Sequence, residues 1–162
     1  MSMIEMFVSG VAIDPTNNMP IMILKNSDKK RTLPIWIGIS EASAIAVKLV
    51  GASSNRPLTH DLIRSIIKTC KAKILEVNID DFNGNTFFAK IKIKLGRKTF
   101  LIDSRPSDAI ALALRSEVPI LVDEKVIEQA TTINITEAEG KIEDSKNLLK
   151  DLNSEDFSRY KM

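Results

Sequence analysis

Runs rich in β-branched and apolar residues occupy 3–13, 19–26 and 32–38, and again 73–82, 86–95 and 98–103. Polar turn compositions separate them: "DPTNN", "NSDKKR", "DFNGN" and "LGRK". Such runs between turn signals predict strands joined as hairpins. Two stretches have a different rhythm. "SEASAIAVK" (40–48) and "SDAIALALR" (107–115) are alanine-rich and apolar nearly all round. A helix without a polar face is a buried helix, and alanine lets its neighbours approach closely. A third helix is predicted over "LTHDLIRSIIKTCKA", where Leu62, Ile63, Ile66, Ile67 and Cys70 recur at three- and four-residue spacing and so form one buried face. A strand at 119–122 and a short helix at 123–130 follow. From 131 the chain turns polar and acidic, with one amphipathic segment in "NLLKDLNSEDF". The expected organisation is one domain over 1–130 and a partly helical appendage over 131–162.

Sliding the chain against itself by 67 residues lays the first helix on the second, Asp14 on Asp81, and "TLPI" (32–35) on "TFLI" (99–102). One register thus aligns a helix, three strands and their turns. It predicts an internally duplicated β-β-β-α unit, over 5–50 and 72–117. The expected fold class is α+β: a mixed, curved β-sheet built from two related halves, with helices packed on it. Ser40 and Ser107 suit helix N-caps, and Thr59 suits the same place in the middle helix. Glu41 and Asp108 fall in first turns, where a carboxylate complements the helix dipole.

Composition narrows the class. The chain has 162 residues, 44% apolar and 27% charged, as expected of a globular domain. It has no apolar run of the roughly 18 residues a membrane span needs, and its first residues lack a secretory leader pattern. The single cysteine, Cys70, excludes an internal disulfide and fits a reducing, cytoplasmic setting. Zinc-site cysteine spacings, a glycine-rich nucleotide loop and a nucleophile elbow are all missing. Charge is uneven. Residues 123–162 carry ten acids and six bases, and the rest carry 17 bases and 11 acids. A moderately basic body can meet a polyanion.

Candidate chemistry gathers at two helix starts. His60, the only histidine, sits in the first turn of the middle helix, where the dipole favours neutral imidazole over imidazolium. That form can serve as general base or metal ligand, with Asp61 beside it as orienter. The structural alternative is a solvated first-turn residue. Arg56 and Arg105 each precede a proline just before a helix. A guanidinium beside helix N–H groups makes a phosphate cradle, with Ser104 as a further donor. Otherwise the arginines pin their loops. Asp103 and Asp108, with Glu41, are the acids that together would hold Mg²⁺ or Mn²⁺ for phosphodiester hydrolysis. Asp103 aligns with Trp36 under the repeat, so the two halves differ there. Lys90, Lys92 and Lys94 alternate on one strand and share a face; a solvated sheet face explains them better than a track for a nucleic-acid backbone.

"LPIWIGISEASAIA" (33–46), "RPLTHDL" (56–62), "GNTFFAKI" (84–91) and "DSRPSDAIALALR" (103–115) together resemble the bifunctional nuclease domain family. The resemblance spans about residues 3–130. It implies a compact α+β domain that forms a homo-oligomer, dimer or higher, and cleaves both RNA and DNA. The family signature falls on Arg56, Thr59, His60, Asp61, Asp103, Arg105, Pro106, Ser107 and Asp108, and Glu41 also matches. Many bacterial members continue into a C-terminal hairpin resembling an excision-repair module, which this length does not hold intact. The expectation is a divalent-metal-assisted nuclease: His60, Asp61 and Asp103 catalytic, Arg56, Arg105 and Ser104 on the phosphate, and Asp103, Asp108 and Glu41 on the metal. The competing expectation is a non-catalytic module whose same turns bind an anion or a partner.

Overall fold

The computed structural model describes residues 2–131. The order is β1 (Met3–Ile13), β2 (Pro20–Asn26), β3 (Thr32–Trp36), α1 (Ile39–Leu49), α2 (Thr59–Thr69), β4 (Ala72–Asn83), β5 (Thr86–Leu95), β6 (Lys98–Ser104), α3 (Pro106–Ser116), β7 (Ile120–Asp123) and α4 (Glu124–Thr131). Apart from Thr131, which ends α4, the predicted appendage lies outside the described residues.

The fold is α+β. Seven strands form one mixed sheet in the order β3-β2-β1-β7-β4-β5-β6. Neighbours are antiparallel except β4 and β7, which run parallel. The sequence β-β-β-α occurs twice, and the two eleven-residue helices α1 and α3 begin 67 positions apart, at Ile39 and Pro106. The strand triplets lie on either side of β7, with β1 and β4 as its neighbours.

The sheet bends strongly. In a flat sheet β3 and β4, four places apart, would be separated by about 19 Å. Instead Pro34 and Trp36 of β3 share a cavity of about 260 Å³ with Phe82 of β4, Phe87 of β5 and Ala130 of α4. Helix α4 packs against β3, β4 and β7. The main core joins Met22, Leu24 and Leu33 to Ile45 of α1, Ile110 and Leu112 of α3, and Val77, Ile79 and Ile91 of β4 and β5. Helix α3 is buried almost throughout, as its composition predicts. Helix α1 is only half covered, and Ile39 at its start is exposed.

Two local expectations need correction. The N-caps are Gly38, Leu58 and Arg105 rather than Ser40, Thr59 and Ser107, which stand one or two places inside their helices. Proline at the first helical position sets the start of α3, since its fixed φ suits a helix and it has no N–H to leave unpaired. Helix α2 buries less of its apolar face than periodicity implies. Ile63 and Ile67 pack on the core, whereas Leu62, Ile66 and Cys70 are exposed.

The lysine row meets acids, not open solvent alone. Lys90 pairs with Asp80 and Lys92 with Glu76, both on β4. Hydrogen bonding and the charge of Asp80 hold the Lys90 ammonium above its ordinary range. With Lys90 and Lys92 paired, the row is a poor track for phosphates.

Candidate functional site

The first turns of α1, α2 and α3 converge, and their charged side chains form one chain of contacts. The Arg105 Nε donates to Asp108 Oδ2 at 2.7 Å, and its Nη1 lies 2.8 Å from Glu41 Oε1. The other Asp108 oxygen, Oδ1, lies 2.9 Å from His60 Nε2. Glu41 comes from α1, His60 from α2 and Asp108 from α3, with Arg105 at the α3 N-cap. Gly38 makes room for the Glu41 carboxylate, because a Cβ there would overlap it.

The protonation pattern follows. Partial burial acts to raise the Asp108 pKa, but hydrogen bonds from Arg105 and His60, with their charges, outweigh it and hold the carboxyl below its ordinary range. An ionised carboxylate only accepts, so His60 Nε2 carries the hydrogen. In the neutral ring the lone pair is then on Nδ1. His60 is buried, with 7% of its surface exposed. Among the described residues no hydrogen bond reaches Nδ1. The Arg105 side chain is 65% exposed, so the guanidinium keeps access to a ligand beside its two carboxylates.

Asp61 does other work than expected. Its Oδ2 accepts the Leu58 N–H at 2.9 Å, and its Oδ1 lies 2.7 Å from Nε of the buried Arg115. Arg115 also donates to the Ala111 carbonyl at 3.0 Å. Burial acts to raise the Asp61 pKa, and the Leu58 N–H with Arg115 brings it down below its ordinary range. Asp61 thus caps α2 and bolts it to α3, while Asp108 orients His60. Sequence neighbours on a helix point in different directions, so adjacency misled here.

Asp103 does not join this cluster. It pairs across the β5–β6 ladder with Lys90, while the adjacent Ala89 and Ile91 face the core beneath α3. Alternation along a strand puts Asp103 on the opposite face of the sheet from α3. Among the described residues no group of three or more His, Cys, Asp or Glu is spaced to hold a metal ion. The expected set of Glu41, Asp103 and Asp108 is split, and its two convergent members already share the Arg105 guanidinium. These residues do not fit a three-carboxylate metal site. The Ser104 hydroxyl donates to the Arg105 carbonyl at 2.9 Å. Arg56 is exposed in the loop leading to α2, with its N–H on the Ser54 hydroxyl.

Glu41 was expected as a dipole-complementing carboxylate or a third metal ligand; its pairing with Arg105 was not foreseen, nor was the role of Arg115 as the partner of Asp61. Among the described residues no helix is long and apolar enough to cross a membrane.

Comparison with known proteins places the chain in a family. The chain is 37% identical over 162 residues, covering 94% of it and 97% of the relative, to the uncharacterized protein MT1877 of Mycobacterium tuberculosis strain CDC 1551 / Oshkosh. The same figures hold for the uncharacterized protein Rv1829 of strain ATCC 25618 / H37Rv. Residues 22–134, which include every member of the cluster, match the bifunctional nuclease domain, and the chain belongs to that family.

Proposed function

We propose that the chain is a nuclease that hydrolyses phosphodiester bonds of RNA and DNA at the Glu41–Arg105–Asp108–His60 cluster. The observation that carries the reading is the His60–Asp108 contact, because it commits Nε2 to a carboxylate and leaves Nδ1 as the ring nitrogen for proton transfer. In this reading Arg105 holds a non-bridging phosphate oxygen through its guanidinium, with Arg56 as a second cation from the α2 approach. His60 Nδ1 takes the proton of the attacking water as its oxygen bonds to phosphorus, and the protonated ring then gives that proton to the leaving oxygen as its P–O bond breaks. Asp108 keeps the ring oriented and stabilises its protonated form. No step is assigned to a divalent ion, and metal dependence is an outcome of the assay. We infer also that the domain acts in the cytoplasm, in keeping with the lone exposed Cys70, and as more than one copy.

The test is cleavage of fluorescent RNA and DNA oligonucleotides with and without EDTA, by the wild type and by folded His60→Ala and Arg105→Ala variants. Cleavage that both variants lose supports the assignment; full activity in either ends it. A second reading has its own support. Both carboxylates of the cluster are spent on one guanidinium, as in a lock that joins three helix starts. A non-catalytic module of this kind binds its anion or partner but releases no cleaved product in the same assay.

A further inference from the structure

Every residue of β6 from Lys98 to Asp103 is exposed, a pattern no other described strand shows. The strand ends the sheet, and among the described residues it pairs only with β5. Among the described residues its outer edge therefore offers unpaired backbone N–H and C=O groups. Natural edges are usually blunted by proline, bulges, charges or cover. The opposite edge, β3, follows that rule: it contains Pro34, its residues up to Ile35 are buried, and α4 packs on it. β6 has no proline, no glycine and no break in its register with β5. Its charges, Lys98 and Asp103, stand only toward its ends. Between them Phe100, Leu101 and Ile102 are 44%, 60% and 42% exposed. Register puts Phe100 and Ile102 beside Ile93 and Ile91 on the core face, and Leu101 beside Lys92 on the other. The core face of this edge is apolar at its centre, and Leu101 adds one apolar side chain to the other face.

We propose that two copies of the chain join antiparallel along β6, about a two-fold axis at Leu101, and so continue the sheet from one copy into the other. Such an axis requires one residue to pair with itself, because side chains opposite each other share a face. With Leu101 at the axis, Phe100 meets Ile102 of the second copy and Leu101 meets its own counterpart. Thr99 then faces Asp103, and Lys98 faces Ser104. Axes one residue away are worse. Phe100 at the axis sets Lys98 against Ile102, and Ile102 at the axis sets Leu101 against Asp103. In the Leu101 register no like charges oppose each other within β6.

Beyond Lys98 and Ser104 the strand ends, and the turn residue Arg97 of one copy then lies at the same end of the interface as the helix-capping Arg105 of the other. That cluster holds two carboxylates, Glu41 and Asp108, around one guanidinium, so it can accept a second cation. The pair of arginines would then clamp one phosphate from both copies, a consequence that rests on the nuclease reading, whereas the interface stands on β6 alone.

Sedimentation equilibrium of the full chain tests the interface. The wild type should show twice the chain mass. Leu101→Lys, at an exposed position, should halve that mass with an unchanged circular dichroism spectrum. In a Cys70→Ser background, a short bismaleimide should join Leu101→Cys chains into dimers and leave Lys29→Cys chains, on the far side of the sheet, unlinked. A monomeric wild type, a dimer that survives Leu101→Lys, or cross-linking no faster at Leu101→Cys than at Lys29→Cys each overturns the proposal. Loss of nuclease activity from none of the cluster variants, with the dimer intact, removes the catalytic reading and leaves the interface standing.

Discussion

His60 Nε2 lies 2.9 Å from Asp108 Oδ1, so a residue in the first turn of α2 is held by one in the first turn of α3. These two residues are 48 positions apart in the chain. Asp108→Asn tests what the contact does. The amide is isosteric, but it is neutral and brings an NH₂ group toward Arg105 Nε or His60 Nε2. Under the proposed mechanism cleavage should fall by about a hundredfold or more, the scale on which positioned acid–base groups act. Melting should show a cost of about 1–3 kcal/mol for the mismatched donor. An unchanged rate in a folded protein would show that orientation of His60 by Asp108 does not matter.

Much of the fold was legible in the chain and the site was only partly so, for one physical reason. Strand runs and helix starts are local, and β1 and β5 fall where alternation and turn residues place them. Partners across elements are not local. Nothing in "THDL" states that His60 turns to α3 while Asp61 turns back to Leu58 and across to Arg115. Likewise the alternation that defines β6 also removes Asp103 from the face where Asp108 lies, but reading this requires knowing which face α3 covers. The 67-residue register pointed to Asp103 as a departure from symmetry; the structure brings Arg105, not Asp103, into the cluster.

Arg115 should matter for stability more than for chemistry. Its side chain is buried and anchors both Asp61 and the Ala111 carbonyl. Removing one partner of a buried pair strands the other. Asp61→Ala leaves the guanidinium uncompensated, and it should cost about 3 kcal/mol, the low end for such pairs, because Asp61 itself is partly exposed. Arg115→Ala should cost a similar amount. Urea denaturation of both single variants and the double variant measures the coupling. If the single variants sum to the double, the two residues are independent and the bolt between α2 and α3 is absent.

Acid should loosen the same contacts. Asp108 and Asp61 both have folded-state carboxyls below the ordinary range. A carboxyl with a depressed folded value binds its proton less readily than the unfolded chain does. Its contribution is therefore complete above the unfolded value, about 3.9, and is lost as pH falls below that value through the folded one. The melting temperature of the wild type should thus drop through this acidic window and stay flat above it as far as these two groups are concerned. Asp108→Asn and Asp61→Asn should each start lower at neutral pH and lose less on acidification. Thermal melts across the acidic range check this; parallel curves for wild type and variants would refute it.

The Glu41–Arg105 pair sets how much positive charge a phosphate meets. Gly38 has an ordinary extended backbone, so its role is space: a Cβ there would overlap the Glu41 carboxylate. Gly38→Ala should therefore push the flexible Glu41 side chain off Arg105 at little cost in folding. Glu41→Gln removes the charge without the steric change. Both variants free a guanidinium from one carboxylate, and both should raise affinity for a fluorescent oligonucleotide severalfold, most at low salt where phosphate contacts count most. Arg105→Ala should cancel the gain in either background. Anisotropy titrations at two salt concentrations distinguish this from a purely structural cluster, in which Gly38→Ala and Glu41→Gln lower the melting temperature and leave oligonucleotide binding where it was.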